Sequence, residues 1–130
     1  MGGFTSGPTA WLPLGDDHTT HNVAAQSRDP KSLLNFYRLL IRLRRENVAL
    51  RDGGIAMLDE NNPDVLSFLR QKDTSSVLVA LNFSASSQTV RYPLKGSSLA
   101  LLASSYGAAA SQPVSSVTLP PYGAYVAALR

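Results

Sequence analysis

Two aspartates and two histidines near the start of the chain are its only residues spaced like a metal or acid–base site. Asp16, Asp17 and His18 are consecutive, and His21 follows three positions later. Such groups bind a metal when they converge on one point, and this stretch has no regular periodicity that would make them converge. The residue types therefore favour a solvated loop with turn-forming aspartates over a metal site.

A second group of acidic residues surrounds the stretch Asn61-Asn62-Pro63, with Asp59 and Glu60 before it and Asp64 after it. A calcium loop needs oxygen ligands at alternating positions and a bidentate glutamate, and that spacing is absent. Asparagine, proline and aspartate in succession are typical of tight turns. We therefore expect a hairpin turn here.

Basic residues are concentrated in the segment 28–51, which carries seven basic and two acidic side chains. Arg38, Arg42, Arg44 and Arg45 could in principle contact phosphates. The rest of the chain is slightly acidic, however, whereas a nucleic-acid-binding domain is usually basic as a whole. We therefore expect the solvated or salt-bridged face of a packed helix and no nucleic-acid partner.

Aromatic residues offer a further possibility, because sugar-binding proteins stack sugar rings on exposed aromatic side chains. Trp11, Tyr106, Tyr122 and Tyr125 are the candidates for such a platform. Aromatic residues scattered singly along strands more often fill a core or lie alone on a surface. A stand-alone carbohydrate-binding module therefore stays an alternative to the main interpretation below.

Sequence motifs for catalysis are absent from the chain. It has no Gly-x-Ser-x-Gly elbow, phosphate-binding loop or His-Glu-x-x-His pair. It also has no cysteine, which excludes disulfides, thiolate zinc sites and a cysteine nucleophile. The two carboxylates in different environments that glycoside hydrolysis requires cannot be assigned. The residues alone therefore predict no catalytic, cofactor-binding or metal-binding side chain.

Length and composition indicate one ordinary globular domain, or a small domain with an appendage. The 130 residues are 44% apolar and 16% charged, and the formal net charge is +3. No apolar run approaches the roughly 20 residues that span a bilayer, and no signal peptide is visible. We therefore expect a soluble, cytoplasmic protein with no membrane partner.

One long helix is the element that the sequence indicates best, from Pro30 to about Asn47. Asp29 is in position to cap its first turn, and proline is favoured at the first helical position. Gly53-Gly54 is expected to stop it. Its apolar residues recur at spacings of three and four, which gives a wide apolar face. These residues are Leu33, Leu34, Phe36, Tyr37, Leu40, Ile41 and Leu43.

After Gly54 the apolar period changes from 3.6 to 2, and turn residues separate short segments. Seven strands are predicted, at Ile55–Leu58, Val65–Gln71, Val77–Asn82, Thr89–Tyr92, Leu99–Ala103, Val114–Leu119 and Ala124–Leu129. Residues 77–81 are apolar at every position, so this strand is expected at the centre, covered on both sides. Residues 106–111 are expected to be a loop. The fold class predicted is mainly β, an antiparallel β-sandwich preceded by an irregular arm (residues 1–28) and one long helix.

The order of these pieces resembles the C-terminal part of α-glucosidases of glycoside hydrolase family 13, such as oligo-1,6-glucosidase, and of the related trehalose synthases. The motifs that carry the resemblance are Gly3-Phe4-Thr5, Trp11-Leu12-Pro13-Leu14, His21-Asn22-Val23, Gln26, Asp29-Pro30-x-Ser32-Leu33-Leu34-Asn35, Val65–Arg70, Val77–Phe83 and Leu119–Val126. The match departs at Ala10, where the family usually has proline, and after Asn47, where the family's proline is missing.

The resemblance implies two domains. Residues 1–52 would be the end of a (β/α)8 barrel with its last helix at about 30–47, and residues 53–130 a C-terminal β-sandwich of the kind called domain C. The family's catalytic Asp, Glu and second Asp come from earlier barrel strands, and no position here matches them. The resemblance therefore implies the non-catalytic C-terminal part of a retaining α-glucosidase acting on short α-linked gluco-oligosaccharides, with a trehalose synthase as the alternative.

The missing barrel has two consequences for the chain by itself. A chain that begins at this point of the family pattern is expected to be a fragment or a truncated reading frame of a longer enzyme, whose barrel would be its partner. The wide apolar face of the helix would also be left partly uncovered. We therefore expect the isolated chain to self-associate as a dimer through Leu33, Phe36, Leu40 and Leu43.

Overall fold

The computed structural model describes residues 6–96, 98–113 and 116–130. The chain divides into two compact units, one ending at Leu39 and the other running from Leu40 to Arg130. The first unit carries a short helix and the start of a long one, and the second carries the strands of the described residues. The predicted domain boundary between residues 52 and 53 stays a prediction.

The first unit contains helix α1, Val23–Arg28, in the arm that was predicted to be irregular. The side chain of Asn22 starts this helix, because its Oδ1 accepts the backbone N–H of Ala25 at 2.9 Å. The side chain of Gln26 connects α1 to the next helix, since its Oε1 accepts the N–H of Leu34 at 3.0 Å.

Helix α2 runs Leu33–Glu46, so the prediction that it begins at Pro30 was wrong by three residues. The Asp29 carboxylate accepts the N–H of Lys31 at 2.8 Å and belongs to a turn before the helix. Ser32 caps the helix instead, because its Oγ accepts the N–H of Asn35 at 3.2 Å.

Helix α3, Val48–Asp52, follows a break at Asn47 and belongs to the second unit. The backbone of Asn47 is extended, and its Oδ1 accepts the N–H groups of Ala49 and Leu50 at 3.0 and 3.3 Å. Gly53 ends α3, whereas the prediction that Gly53-Gly54 stops the long helix was wrong, because α2 already ends at Glu46. A Cβ on Gly53 would lie 2.3 Å from the carbonyl oxygen of Ala49 and 2.7 Å from that of Gln71.

Eight strands follow within the described part of the chain, and every pair of them is antiparallel, which confirms the predicted fold class. They are β1 Gly54–Leu58, β2 Val65–Lys72, β3 Ser75–Asn82, β4 Gln88–Val90, β5 Ser98–Ser104, β6 Ser111–Pro113, β7 Val117–Leu119 and β8 Ala124–Leu129. The larger sheet has the order β1-β2-β3-β8-β5-β6, and β4 and β7 form a small second sheet.

The core lies between one face of the large sheet and the small sheet. Side chains of β2, β3 and β8 point into it from the large sheet, and Val90, Val117 and Leu119 meet them from the small sheet. Strand β3 is third of six, and residues 77–80 are all buried, on both faces of the strand. The prediction of a central, doubly covered strand is therefore confirmed.

The strand predictions differ from the structure mainly around residues 106–119. Strand β6 was not predicted, because Ser111–Pro113 has no apolar alternation and forms a strand by pairing with β5. The predicted strand 114–119 begins on two residues, 114 and 115, that lie outside the described part, and β7 holds its second half. Within the described ranges, no helix is both long and apolar enough to cross a membrane.

Candidate functional site

The acidic and histidine residues near the start form an exposed loop in the first unit. The Asp17 carboxylate lies 3.4 Å from Nδ1 of His21, and both side chains are more than two-thirds exposed. Nδ1 of His18 lies 2.7 Å from the carbonyl oxygen of Gly15, within a turn. No group of three potential metal-binding side chains occurs among residues 6–96, 98–113 and 116–130. The exposure of Asp17 and His21 and the turn contact of His18 match the predicted solvated loop.

The second acidic group forms the hairpin turn between β1 and β2, as predicted. Asn62 organises this turn, because its Oδ1 accepts the backbone N–H groups of Asp64 and Val65, each at 3.0 Å. Its amide nitrogen donates to the carboxylate of Asp59 at 2.8 Å. The Asp59 carboxylate therefore stabilises the turn.

The tyrosine candidates for a sugar platform occupy different environments within the second unit. Tyr122 is 68% exposed, whereas Tyr125 is fully buried in the core. Tyr106 is half-buried against the core and donates its hydroxyl to the carbonyl oxygen of Thr118 at 3.3 Å. Trp11, on the other unit, is 99% exposed. The buried Tyr125 cannot present its ring to a ligand, so it drops out of the predicted set.

The four arginines singled out in the sequence are exposed on α2, and two of them donate hydrogen bonds to nearby oxygens. Arg38 donates to the side-chain oxygen of Asn35 at 3.2 Å, and Arg44 donates to the carbonyl oxygen of Leu50 at 3.0 Å. Arg42 and Arg45 are exposed. Arg38 and Arg44 are exposed as well, which matches the expected solvated face of a packed helix.

The second unit also contains a groove that the sequence did not predict, between helices α2 and α3 and the outer face of the large sheet. Its volume is about 220 Å³. We call it the arginine groove. It is lined by Leu40, Leu43, Arg44, Leu50, Phe68, Arg70, Val79 and Val126. The sequence feature that could have indicated the groove is Arg70, because it is a cation on the same face of a strand as the apolar residues Leu66 and Phe68.

Arg70 is half-buried in this groove and is tied to the end of α3. Its terminal nitrogen donates to the carbonyl oxygen of Gly53 at 2.7 Å. Its Nε is buried and has no hydrogen-bond partner. Among the described residues, no carboxylate forms an ion pair with Arg70 or Arg44. The groove is therefore apolar and positively charged at once.

Two tyrosines carry buried hydroxyls, and both lie in the core away from this groove. The Tyr92 hydroxyl lies 2.6 Å from the Ser67 hydroxyl. Burial raises the pKa of Tyr92 to about 12, although the hydrogen bond with Ser67 lowers it in part. Burial also raises the pKa of Tyr125, whose hydroxyl has no partner. Both side chains serve the packing of the sandwich.

Asn82 holds together the two loops at one end of the sandwich, and its side chain is buried. Its amide nitrogen donates to the carbonyl oxygens of Ser86 and Pro120, each at 2.8 Å. Its Oδ1 accepts from the backbone N–H and the hydroxyl of Ser84, each at 2.9 Å. One polar side chain therefore satisfies four groups of two loops.

The elements of the second unit define a small antiparallel β-sandwich domain that follows a long helix in the chain. Residues 55–126 match the family model of the maltogenic amylase C-terminal domain, and residues 1–53 match that of the α-amylase catalytic domain. The chain therefore belongs to the α-amylase family, glycoside hydrolase family 13, as the C-terminal region of such an enzyme.

Individual relatives agree with this assignment. A probable α-glucosidase of Rhizobium meliloti (strain 1021) is 37% identical over 72% of this chain and 17% of its own length. The α-glucosidase of Schizosaccharomyces pombe is 31% identical over 95% of this chain and 21% of its own length. The chain thus spans about a fifth of the length of these relatives.

Solved structures give the same picture. The trehalulose synthase MutB from Pseudomonas mesoacidophila MX-45 has 32% sequence identity and a TM-score of 0.80 to this chain. The match covers 92% of this chain and 22% of that structure's chain. Similarity in fold and in sequence therefore extends over nearly all of the 130 residues.

Proposed function

We propose that this chain is the non-catalytic C-terminal part of a retaining α-glucosidase acting on short α-linked gluco-oligosaccharides. The observation that carries the proposal is the order of the two family matches, the catalytic domain first and the C-terminal domain directly after it. The relatives named α-glucosidase support the activity of the whole enzyme.

The environments of the acidic residues support a non-catalytic role for this part. Retaining hydrolysis needs a carboxylate nucleophile and a carboxylic acid whose surroundings keep it protonated. Of the nine Asp and Glu residues, all but Asp64 are exposed, and Asp64 is half-buried in the turn described above. The family's catalytic residues lie on barrel strands that precede the region matched here.

The role that we assign to the chain is to complete the barrel with helix α2 and to cover part of its surface. Leu33, Tyr37 and Ile41 lie one turn apart on α2 and are 66%, 58% and 59% exposed. Three large apolar side chains in one exposed row are typical of an interaction surface. We propose that this row contacts the remaining part of the catalytic domain.

Two hydrolysis assays test the proposal. The purified 130-residue chain should release no p-nitrophenol from p-nitrophenyl α-glucoside, whereas a longer protein that contains it should hydrolyse maltose and isomaltose with retention of the anomeric configuration. Hydrolysis by the chain itself would contradict the non-catalytic role. Inversion by the longer protein would contradict the retaining mechanism.

A second candidate activity is the isomerisation of sucrose, because several structures with a high TM-score are of trehalulose synthase. Incubation of the longer protein with sucrose separates the two, since an isomerase accumulates trehalulose and a hydrolase accumulates glucose. The same assay with maltose detects trehalose formation, which would indicate a trehalose synthase.

Calorimetric titration of the chain with isomaltose tests the alternative of a stand-alone carbohydrate-binding module. The cytoplasmic location stays a prediction, which cell fractionation would test.

A further inference from the structure

The arginine groove combines an apolar lining with two guanidinium groups that have no counter-ion among the described residues, and of these Arg70 is half-buried while Arg44 is exposed. The ion pairs of the described residues, Asp17 with His21 and Arg51 with Asp52, involve neither Arg44 nor Arg70. Arginine cannot lose its charge at neutral pH, so burial of its guanidinium group must be compensated by a partner.

The hydrogen bonds that these arginines do make leave their charge uncompensated. Arg70 and Arg44 each donate to one backbone carbonyl, of Gly53 and Leu50 respectively, and a carbonyl is a neutral acceptor. The Nε of Arg70 is buried without a partner and one terminal nitrogen bonds to the carbonyl oxygen of Gly53, so this half-buried guanidinium group has no anionic partner among the described residues. A carboxylate is the group that matches such a donor set, because it accepts two N–H bonds of a guanidinium group at once.

The surface beside the groove shows what should accompany that carboxylate. Ile55 pairs with Arg70 and Met57 pairs with Phe68 across β1 and β2, so all four side chains lie on one sheet face. Ile55 is 63% exposed and Met57 is 43% exposed. An acidic side chain flanked by apolar side chains is therefore complementary to the groove in both charge and polarity.

We propose that the arginine groove binds an Asp or Glu side chain, flanked by apolar residues, from the remaining part of the catalytic domain. The proposal rests on the function proposed above, because it names the contact by which the sandwich holds the barrel. A polypeptide segment fits better than a small carboxylate, since the apolar surface continues out of the groove onto the exposed face of β1. Arg70 is then a positioning residue for the domain interface.

The test is a titration of the 130-residue chain with a blocked tetrapeptide of leucine, glutamate, leucine and leucine, followed by amide chemical shifts. We expect saturable shifts centred on Leu43, Leu50 and Arg70. The same peptide with glutamine in place of glutamate should bind about tenfold more weakly, because it lacks the charge-assisted bonds. Equal affinity for the two peptides, shifts centred elsewhere, or no saturable shift would overturn the proposal.

Two variants make the test specific for the groove. Arg70→Met keeps most of the aliphatic stem and removes the charge, so it should weaken binding of the glutamate peptide about tenfold and leave the glutamine peptide unaffected. Arg91→Met, at an exposed position that does not line the groove, should bind both peptides as the unsubstituted chain does. Equal loss in the two variants would indicate a general charge effect and overturn the groove assignment.

Failure here can be distinguished from failure of the proposed function. The titration uses this chain alone, so a negative result removes the groove contact and leaves the hydrolysis assays unaffected. A longer protein without glycosidase activity would instead contradict the proposed function, whatever the peptide result. Light scattering during the titration shows whether a second copy of the chain occupies the groove, because a dimer scatters more than a monomer. If the glutamate peptide only dissociated such a dimer, the groove would be a self-association site and the proposal would be overturned.

Discussion

The hydroxyls of Ser67 and Tyr92 lie 2.6 Å apart in the core of the sandwich, and they connect a residue of β2 with one that follows β4. Ser67 is 1% exposed and Tyr92 is 5% exposed, so neither hydroxyl can exchange its partner for water. Tyr125 is buried in the same core, but its hydroxyl has no partner. The two tyrosines therefore form a matched pair for measuring what a buried hydrogen bond contributes.

Tyr92→Phe should lower the free energy of unfolding by about 1–3 kcal/mol, because it leaves the Ser67 hydroxyl buried without a partner. Tyr125→Phe removes a hydroxyl that already has none, so it should leave the free energy of unfolding unchanged or raise it by about 1 kcal/mol. Urea unfolding of both variants provides the comparison. Equal losses in the two variants would mean that the Ser67–Tyr92 bond contributes nothing specific.

Stability at high pH should depend on Tyr92. Its pKa is raised to about 12 in the folded state, whereas an exposed tyrosine in the unfolded chain titrates near 10. The stabilisation is fully present below pH 10 and is lost as the pH rises through the folded value, because the unfolded chain releases its proton first.

The expected slope from this one residue is a loss of roughly 1.4 kcal/mol of unfolding free energy per pH unit between about pH 10 and about pH 12. Urea unfolding from about pH 9 to about pH 11.5 measures it. Tyr92→Phe should show a shallower decline than the unsubstituted chain. Parallel curves for the two proteins would show that Tyr92 ionises at the same pH whether the chain is folded or unfolded.

Gly53→Ala should destabilise the second unit by about 2–4 kcal/mol, because the added Cβ would meet two backbone carbonyl oxygens. Gly54→Ala is the control one residue further on, where a Cβ would meet no atom within 4 Å. It should be neutral or stabilising by up to about 1 kcal/mol, since alanine is favoured over glycine in a strand. Thermal unfolding of both variants tests the close packing of α3 on β2, and similar melting temperatures would refute it.

Asn82→Ala should lower the free energy of unfolding by about 2–4 kcal/mol, because four groups of two loops lose their shared partner. Asn82→Asp should be at least as harmful, since it places a negative charge against the carbonyl oxygens of Ser86 and Pro120. The exposed Asn61 makes none of these bonds, and Asn61→Ala should be neutral. Retained stability in Asn82→Asp would show that the two donated bonds are dispensable.

We propose that the isolated chain self-associates through the apolar residues of α2. Leu40 and Leu43, which the sequence placed in the dimer face, line the arginine groove, while Leu33, Tyr37 and Ile41 form the exposed row. Ile41→Asp should therefore abolish association and leave the sandwich folded, as judged by light scattering and circular dichroism. A monomeric unsubstituted chain at micromolar concentration would contradict the proposal. Leu40→Asp should instead lower the unfolding free energy as well, because that side chain faces the groove.

The sequence by itself determined the long helix, seven strand positions, the hairpin turn at Asn62 and the family. These depend on local features, because apolar periodicity and turn residues act over a few neighbouring positions. The same local rules account for the misplaced helix start, since Pro30 and Asp29 satisfy them as well as Ser32 does. The side chains of Ser32 and Gln26 decide between the two starts by bonding to the first N–H groups of α2.

The tertiary structure alone decided which parts of those elements are covered. Strand β6 exists because β5 offers it a pairing edge. Tyr125 is buried because it lies on β8 facing the core, whereas Tyr122 lies in the turn before β8 and is exposed. Arg70 meets the carbonyl oxygen of Gly53, 17 positions earlier in the chain, through the pairing of β2 with β1 and the packing of α3. Which side chains are buried, and which polar partners they find, depends on contacts between residues distant in sequence. Local periodicity contains no information about which distant residues come into contact.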